Sequence, residues 1–140
     1  MNMESIFKSE MTEVLVNREL GIAEFNSLSV TTEIKVEYFK SNTLKSVEIF
    51  EQLLNSGINR FLYDTRDQSF PITPDLQEWT SNLYIPFIDM EYKLAVLLSL
   101  DLVAALSIEQ TTEEFAKNKA TKNESQFFVD KESAIKWLLS

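Results

Sequence analysis

The sequence predicts one α/β domain, a mixed β-sheet that begins as an antiparallel hairpin and carries helices packed on it. Three observations lead there. Thr12 to Asn17 and Ile22 to Phe25 are short strand-like runs separated by Arg18-Glu19-Leu20-Gly21, a turn whose Gly supplies positive φ. Ile58 to Thr65 is apolar on both faces, as a central strand covered by helices must be. The remainder alternates strand and helix patterns, which implies helices lying on a sheet.

The elements follow in order. Ser5 to Phe7 is short enough for a first strand, and Thr12 to Asn17 sets Val14 and Val16 on one face. Ser29 to Phe39 carries two signals. Ile34, Val36 and Tyr38 alternate with Lys35 and Glu37 like a strand, whereas Thr31 and Thr32 ahead of Glu33 look like a helix cap. From Asn42 onward Leu44, Val47, Phe50 and Leu54, with Leu53 beside them, recur at helical spacing, and Asn55-Ser56-Gly57 supplies a stop. The combined reading is one helix from about Thr32 to Asn55. After the strand at 58–65, Thr73 is placed to cap a helix and Pro74 to start it, where its missing N–H costs nothing. Asp75 and Glu78 suit the positive end of that helix, Leu76, Trp79 and Leu83 form its buried stripe, and Pro86 ends or kinks it. Phe87 to Met90 adds a short turn. Lys93 to Leu98 reads as a buried strand, Asp101 to Ile108 as a short apolar helix and Glu109 to Ala120 as a charged one. Phe127 to Val129 is a last strand, and Asp130 caps a final helix from Lys131 to Leu139 that buries Ala134, Ile135 and Leu138 beside Trp137.

Composition bounds the function. A chain of 140 residues has the length of one domain, 1–140, with a real core. The net charge of −9 repels phosphate backbones and anionic headgroups, which disfavours nucleic acid and membrane surfaces as partners. Cys and His are absent, so disulfides, thiol chemistry, His-based triads and structural zinc have no material. The two glycines leave almost nothing from which to build a phosphate-cradling loop, and no cofactor is expected. The first residues, Met1-Asn2-Met3-Glu4, lack the basic start and apolar run of a secretory signal. Leu94 to Ile108 is interrupted by Ser99, Asp101 and Ser107 and falls short of the ~20 apolar residues a membrane span needs. The expectation is a cytoplasmic protein without membrane insertion.

The order of these elements resembles the STAS domain, the fold of anti-sigma factor antagonists of the SpoIIAA type, and more narrowly small bacterial SpoIIAA-like proteins. The residues that carry the resemblance are Val16-Asn17-Arg18-Glu19-Leu20, then Phe61-Leu62-Tyr63-Asp64-Thr65-Arg66, then Pro71-Ile72-Thr73-Pro74-Asp75-Leu76-Gln77-Glu78-Trp79. They continue with Lys93-Leu94-Ala95-Val96, Leu106-Ser107-Ile108-Glu109-Gln110 and Ala134-Ile135-Lys136-Trp137-Leu138, so the resemblance spans nearly the whole chain. It implies a non-enzymatic regulatory domain that binds a protein partner at the loop after the central strand, between Asp64 and Pro74. A homodimer is compatible with the same reading. By analogy with the CRAL-TRIO lipid carriers, the alternative is a carrier or sensor of a small apolar ligand. In the antagonists a kinase modifies a Ser in an Asp-Ser-Ser-Gly-like turn at the start of the following helix. The matching stretch here, Phe70 to Asp75, reads FPITPD, without the Ser pair or the Gly, and Thr73 is its one hydroxyl.

Asp64, Arg66 and Asp67 gather at the carboxyl end of the central strand, where open α/β sheets bind their ligands. Either they contact a partner, or Asp64 satisfies loop amides while Arg66 pairs with a carboxylate. Trp79, Tyr84 and Phe87 surround Pro86 and either line an apolar pocket or anchor an interface. Core packing suits Trp79; Tyr84 and Phe87, beyond the regular helix, are expected to be partly exposed. Glu109, Glu113 and Glu114 read as a solvated helix face. No stretch carries a catalytic signature, and the Asp64–Asp67 pair lacks the ligands and Gly turn of a calcium loop.

Overall fold

The computed structural model describes residues 1–30, 33–68, 70, 72–99 and 122–140. Among them six strands form one sheet in chain order: β1 (Glu4–Lys8), β2 (Thr12–Asn17), β3 (Ile22–Ser27), β4 (Arg60–Asp64), β5 (Lys93–Leu97) and β6 (Glu124–Phe128). β1, β2 and β3 form an antiparallel meander, and β3 to β6 run parallel to one another. The carboxyl ends of β3, β4, β5 and β6 therefore lie along one edge. The helices are α1 (Val36–Asn55), α2 (Pro74–Leu83), a single 3-10 turn at Ile85–Phe87, and α3 (Lys131–Leu138). No described helix is long and apolar enough to cross a membrane.

The hairpin forms where expected. Gly21 takes φ 68°, the left-handed conformation that a side chain disfavours, and Asn17 Oδ1 accepts the Leu20 amide at 2.9 Å to close the turn. Pairing Val14 with Phe25 and Val16 with Ala23 puts those four on a first face of the sheet, and pairing Leu15 with Glu24 puts those two on the second. β4 is central and helix-covered as the sequence predicts. It pairs with β3 and β5, and its neighbours Phe61 and Leu62 point to opposite faces with no exposed surface.

α1 begins at Val36, later than the sequence suggests. Lys35 sits in extended backbone before it and gives no side-chain cap. The alternating Val36 and Tyr38 are exposed on the first turn, so strand periodicity there reflects no buried face. The buried stripe is Phe39, Ser46, Ile49, Phe50, Leu53 and Leu54, and Leu44, expected inside, is half exposed. The helix ends in a Schellman arrangement: the Gly57 amide donates to Leu54 O at 3.2 Å and the Ile58 amide to Leu53 O at 3.0 Å, with Gly57 at φ 99°. Thr73 Oγ1 accepts the Leu76 amide at 3.3 Å, and Asp130 Oδ2 accepts the Ser133 amide at 2.9 Å, so both expected caps hold. In α2 only Leu76 is buried; Trp79 packs partly buried against it and Lys40 lies over its ring. β6 starts at Glu124, ahead of the expected 127–129, because it pairs residue for residue with Lys93–Leu97. The helices expected over 101–108 and 109–120, with Leu106 to Gln110, Glu109, Glu113 and Glu114, lie outside the described residues, as do Thr31, Thr32 and Pro71.

The core is split by the sheet. On the first face Val14, Val16, Ala23, Phe25 and Phe61 meet Ile49, Phe50, Leu53 and Leu54 of α1, with Phe87 between. On the second face Leu62, Ala95 and Leu97 meet Ala134 and Leu138 of α3. A third cluster, Met11, Phe39 and Leu76, joins the start of α1 to α2.

Candidate functional site

The carboxyl ends of β3 and β4 meet the start of α3 in a charged corner on the second face. Strand alternation builds it. Ile22 points into that face, so Glu24 and Asn26 follow it there; Leu62 does the same for Asp64. In the parallel register Asn26 lies opposite Asp64. Glu24 is 2% exposed, and its Oε1 lies 2.7 Å from Lys131 Nζ, off the hydrogen-bond direction, so the contact is an ion pair without a directed hydrogen bond. A cation in the first turn of a helix opposes the helix dipole; the buried carboxylate opposite offsets that cost. Asn26 Oδ1 is buried and has no hydrogen-bond partner among the described residues. Such an acceptor is costly to leave unmade.

Asp64 and Arg66 form a closed clamp. Arg66 donates from Nε to Oδ1 at 2.9 Å, from Nη2 to Oδ2 at 2.8 Å and from its own backbone amide to Oδ1 at 3.1 Å. Burial pulls the Asp64 carboxyl upward, but the Arg66 hydrogen bonds and charge, helped by Lys131, outweigh it and hold the group below its ordinary value. Arg66 is raised by its bond to Asp64, against some burial, with the charges of Asp64 and Asp67 adding. The loop beneath is tied down by Thr65, whose amide and hydroxyl both donate to Leu97 O, at 3.0 and 2.7 Å. Arg66 keeps 41% of its side chain exposed and Lys131 46%, whereas Asp64 keeps 18%.

The structure thus brings Asp64, Arg66 and Asp67 together and adds Glu24, Asn26 and Lys131. The latter three went unremarked in the sequence, although Glu24 sits among Ile22, Ala23 and Phe25, and a carboxylate on the buried phase of a strand is a legible signal. Thr73 is exposed at the start of α2 and serves as its cap. Tyr84 and Phe87 do not join the corner. Tyr63 points to the opposite face from Asp64, and its hydroxyl meets that of Tyr84 at 2.9 Å. The expected exposure of Phe87 is corrected: it is 6% exposed and packs edge-on to Phe50 at 5.3 Å. Tyr84 likewise meets Phe50 edge-on at 5.4 Å, and burial raises its hydroxyl to about 12. Pro86 turns the chain so that Phe87 fills the core under α1 while Tyr84, partly exposed, packs against it.

α3 is held at its far end as well. Arg60 donates from Nε to Leu138 O at 2.9 Å and from Nη1 to Leu20 O at 2.8 Å, and Lys93 Nζ donates to Ser140 O at 3.0 Å over the Trp137 ring. Cations at that end suit the dipole. The corner is therefore a fixed surface. Among the described residues its two inner carboxylates, Glu24 and Asp64, are each matched by a cation, and what it offers outward is a guanidinium and an ammonium. Among the described residues no group of acidic side chains is arranged to hold a metal ion.

A second concavity lies between β1 and α1. It encloses about 330 Å³ and is lined by Ile6, Phe7, Ile49 and Leu53 with Arg18, Lys45, Gln52 and Ser56. No protein-family model, curated protein or solved structure matches the chain.

Proposed function

We propose that this chain is a non-enzymatic, STAS-like interaction module of the cytoplasm that docks a protein partner at the charged corner and the loop following β4. One observation carries the reading. The Arg66 guanidinium is locked by two parallel bonds to Asp64 while 41% of the side chain stays open to solvent. An exposed pair of this kind adds little to stability, but a fork fixed before contact loses little entropy on binding. The outer N–H groups of Arg66 and the Lys131 ammonium then meet acceptors on the partner.

The experiment is affinity capture with the intact chain beside Arg66→Ala and Asp64→Ala. Both variants keep the unfolding midpoint within the range of a surface change, and both lose the same captured partners. Partners that persist on both variants at undiminished yield sink the assignment.

A further inference from the structure

We propose that the groove between β1 and α1 binds a small aliphatic carboxylic acid, its head group on Arg18 and its body on Ile6, Phe7, Ile49 and Leu53. The groove's size, about 330 Å³, is at the lower end of small-molecule sites, which run from about 300 Å³ upward. Its charge is the reverse of the molecule's. In a chain of net charge −9, both charged residues lining it are cations, Arg18 and Lys45. Among the described residues no carboxylate pairs with Arg18. Lys45 has only Glu48, at 3.6 Å with both side chains about half exposed, a pair readily exchanged for a ligand anion.

The apolar half is built by a defect in the edge strand. β1 pairs Ser5 with Leu15 and then Phe7 with Val14, so Ile6 is the extra residue of a bulge. A bulge breaks the alternation and re-aims a side chain; here Ile6 joins Phe7 in lining the groove. The same bulge blunts the outer edge of β1 against the addition of a partner strand. That argues for a small molecule over an extended peptide or a second copy. The net charge of −9 argues for a free acid over an anionic bilayer.

Decanoate is the probe, titrated into the full-length chain and followed by amide chemical shifts. Saturable one-to-one binding is expected, with shifts concentrated at Ile6, Phe7, Arg18, Ile49 and Gln52. Arg18→Glu, in an exposed turn, and Ile6→Asp, on the exposed edge, each weaken it at least about tenfold, since one removes the charge-assisted bond and the other the apolar floor. Decylammonium fails to bind, and Arg66→Ala leaves decanoate affinity unchanged, which separates this site from the corner on the other face. The proposal is overturned by absence of saturation, by equal binding to Arg18→Glu, or by equal binding of decylammonium. Sedimentation showing a dimer that Ile6→Asp dissociates assigns the groove to a second copy and also overturns it.

Discussion

The two faces of the sheet are covered by different chemistry. Under α1 and α2 the cover is aromatic: Phe25, Phe50, Phe61, Tyr63, Tyr84, Phe87 and Tyr92 touch ring to ring, with Phe50 meeting four of the others. Across the sheet, among the described residues, a helix of 8 residues lies on Leu62, Ala95 and Leu97, tied at one end by Lys131 to Glu24 and at the other by Arg60 and Lys93 to its last carbonyls. Ring packing is non-directional and scales with area buried. Ion pairs add less net stability but fix position and leave charge at the surface. The contrast separates a face held by ring packing from a face whose described helix is held by charge at both ends.

Breaking the aromatic face is expected to have the largest effect. Phe50→Ala should cost about 3–5 kcal/mol, as removal of a fully buried ring does, read from the urea midpoint at unchanged slope. A loss below about 2 kcal/mol would mean that the rings repack without it and the two faces differ less than their geometry says. On the opposite side Leu138→Ala should cost about 2–3 kcal/mol, the lower part of the range for buried Leu, since the end of a short helix can settle into the space. Lys131→Met sharpens the comparison further. It strands Glu24 with its charge buried and should cost about 1–3 kcal/mol; Glu24→Gln in the same chain should restore part of the loss, and failure of that rescue would show that Lys131 acts through packing. Thr73→Ala removes the cap of α2 and should cost about 1 kcal/mol, a value that becomes larger only if the hydroxyl has a role beyond Leu76.

Alkali and acid probe the two faces without mutation. Burial holds the Tyr63 and Tyr92 hydroxyls above their ordinary value and pushes Tyr84 to about 12. The folded chain therefore keeps protons that the unfolded chain releases. The contribution is complete below the unfolded tyrosine value of about 10 and is lost as pH rises from there through the folded values. Asp64 has the opposite sign. Its lowered value contributes stability above the unfolded carboxyl value of about 3.9, lost as pH falls below it. Urea midpoints measured across pH should show an alkaline limb that Tyr84→Phe flattens and a smaller acid limb that Asp64→Asn flattens. Limbs unmoved by these changes would detach the pH dependence from the groups named.

Much of the sheet was legible because its signals are local. Gly21 between two alternating runs, Thr73-Pro74, and Asp130 ahead of Lys131 each specify a turn or cap through a few neighbouring atoms. The start of α1 falls about four residues later than read because Thr31 and Thr32 ahead of Glu33 look like a cap, whereas the helix begins at Val36 after Lys35, which gives no side-chain cap. Asp64, Arg66 and Asp67 were legible as a group because they are adjacent in the chain. Phe87 departs from the expected partial exposure, whereas Tyr84 stays partly exposed, because exposure after a Pro depends on what the turned chain meets, here Phe50 from a distant helix.

The sequence by itself determined the α/β class, the hairpin, the central strand and the caps, all set by periodicity and by bonds spanning a few residues. Only the tertiary structure decided that Lys131 would reach Glu24, that Asn26 would stand beside Asp64, and that Ile6 would line a groove with α1. Those outcomes depend on register and on where a helix lands on a sheet, contacts between residues far apart in the chain for which short-range pattern holds no information.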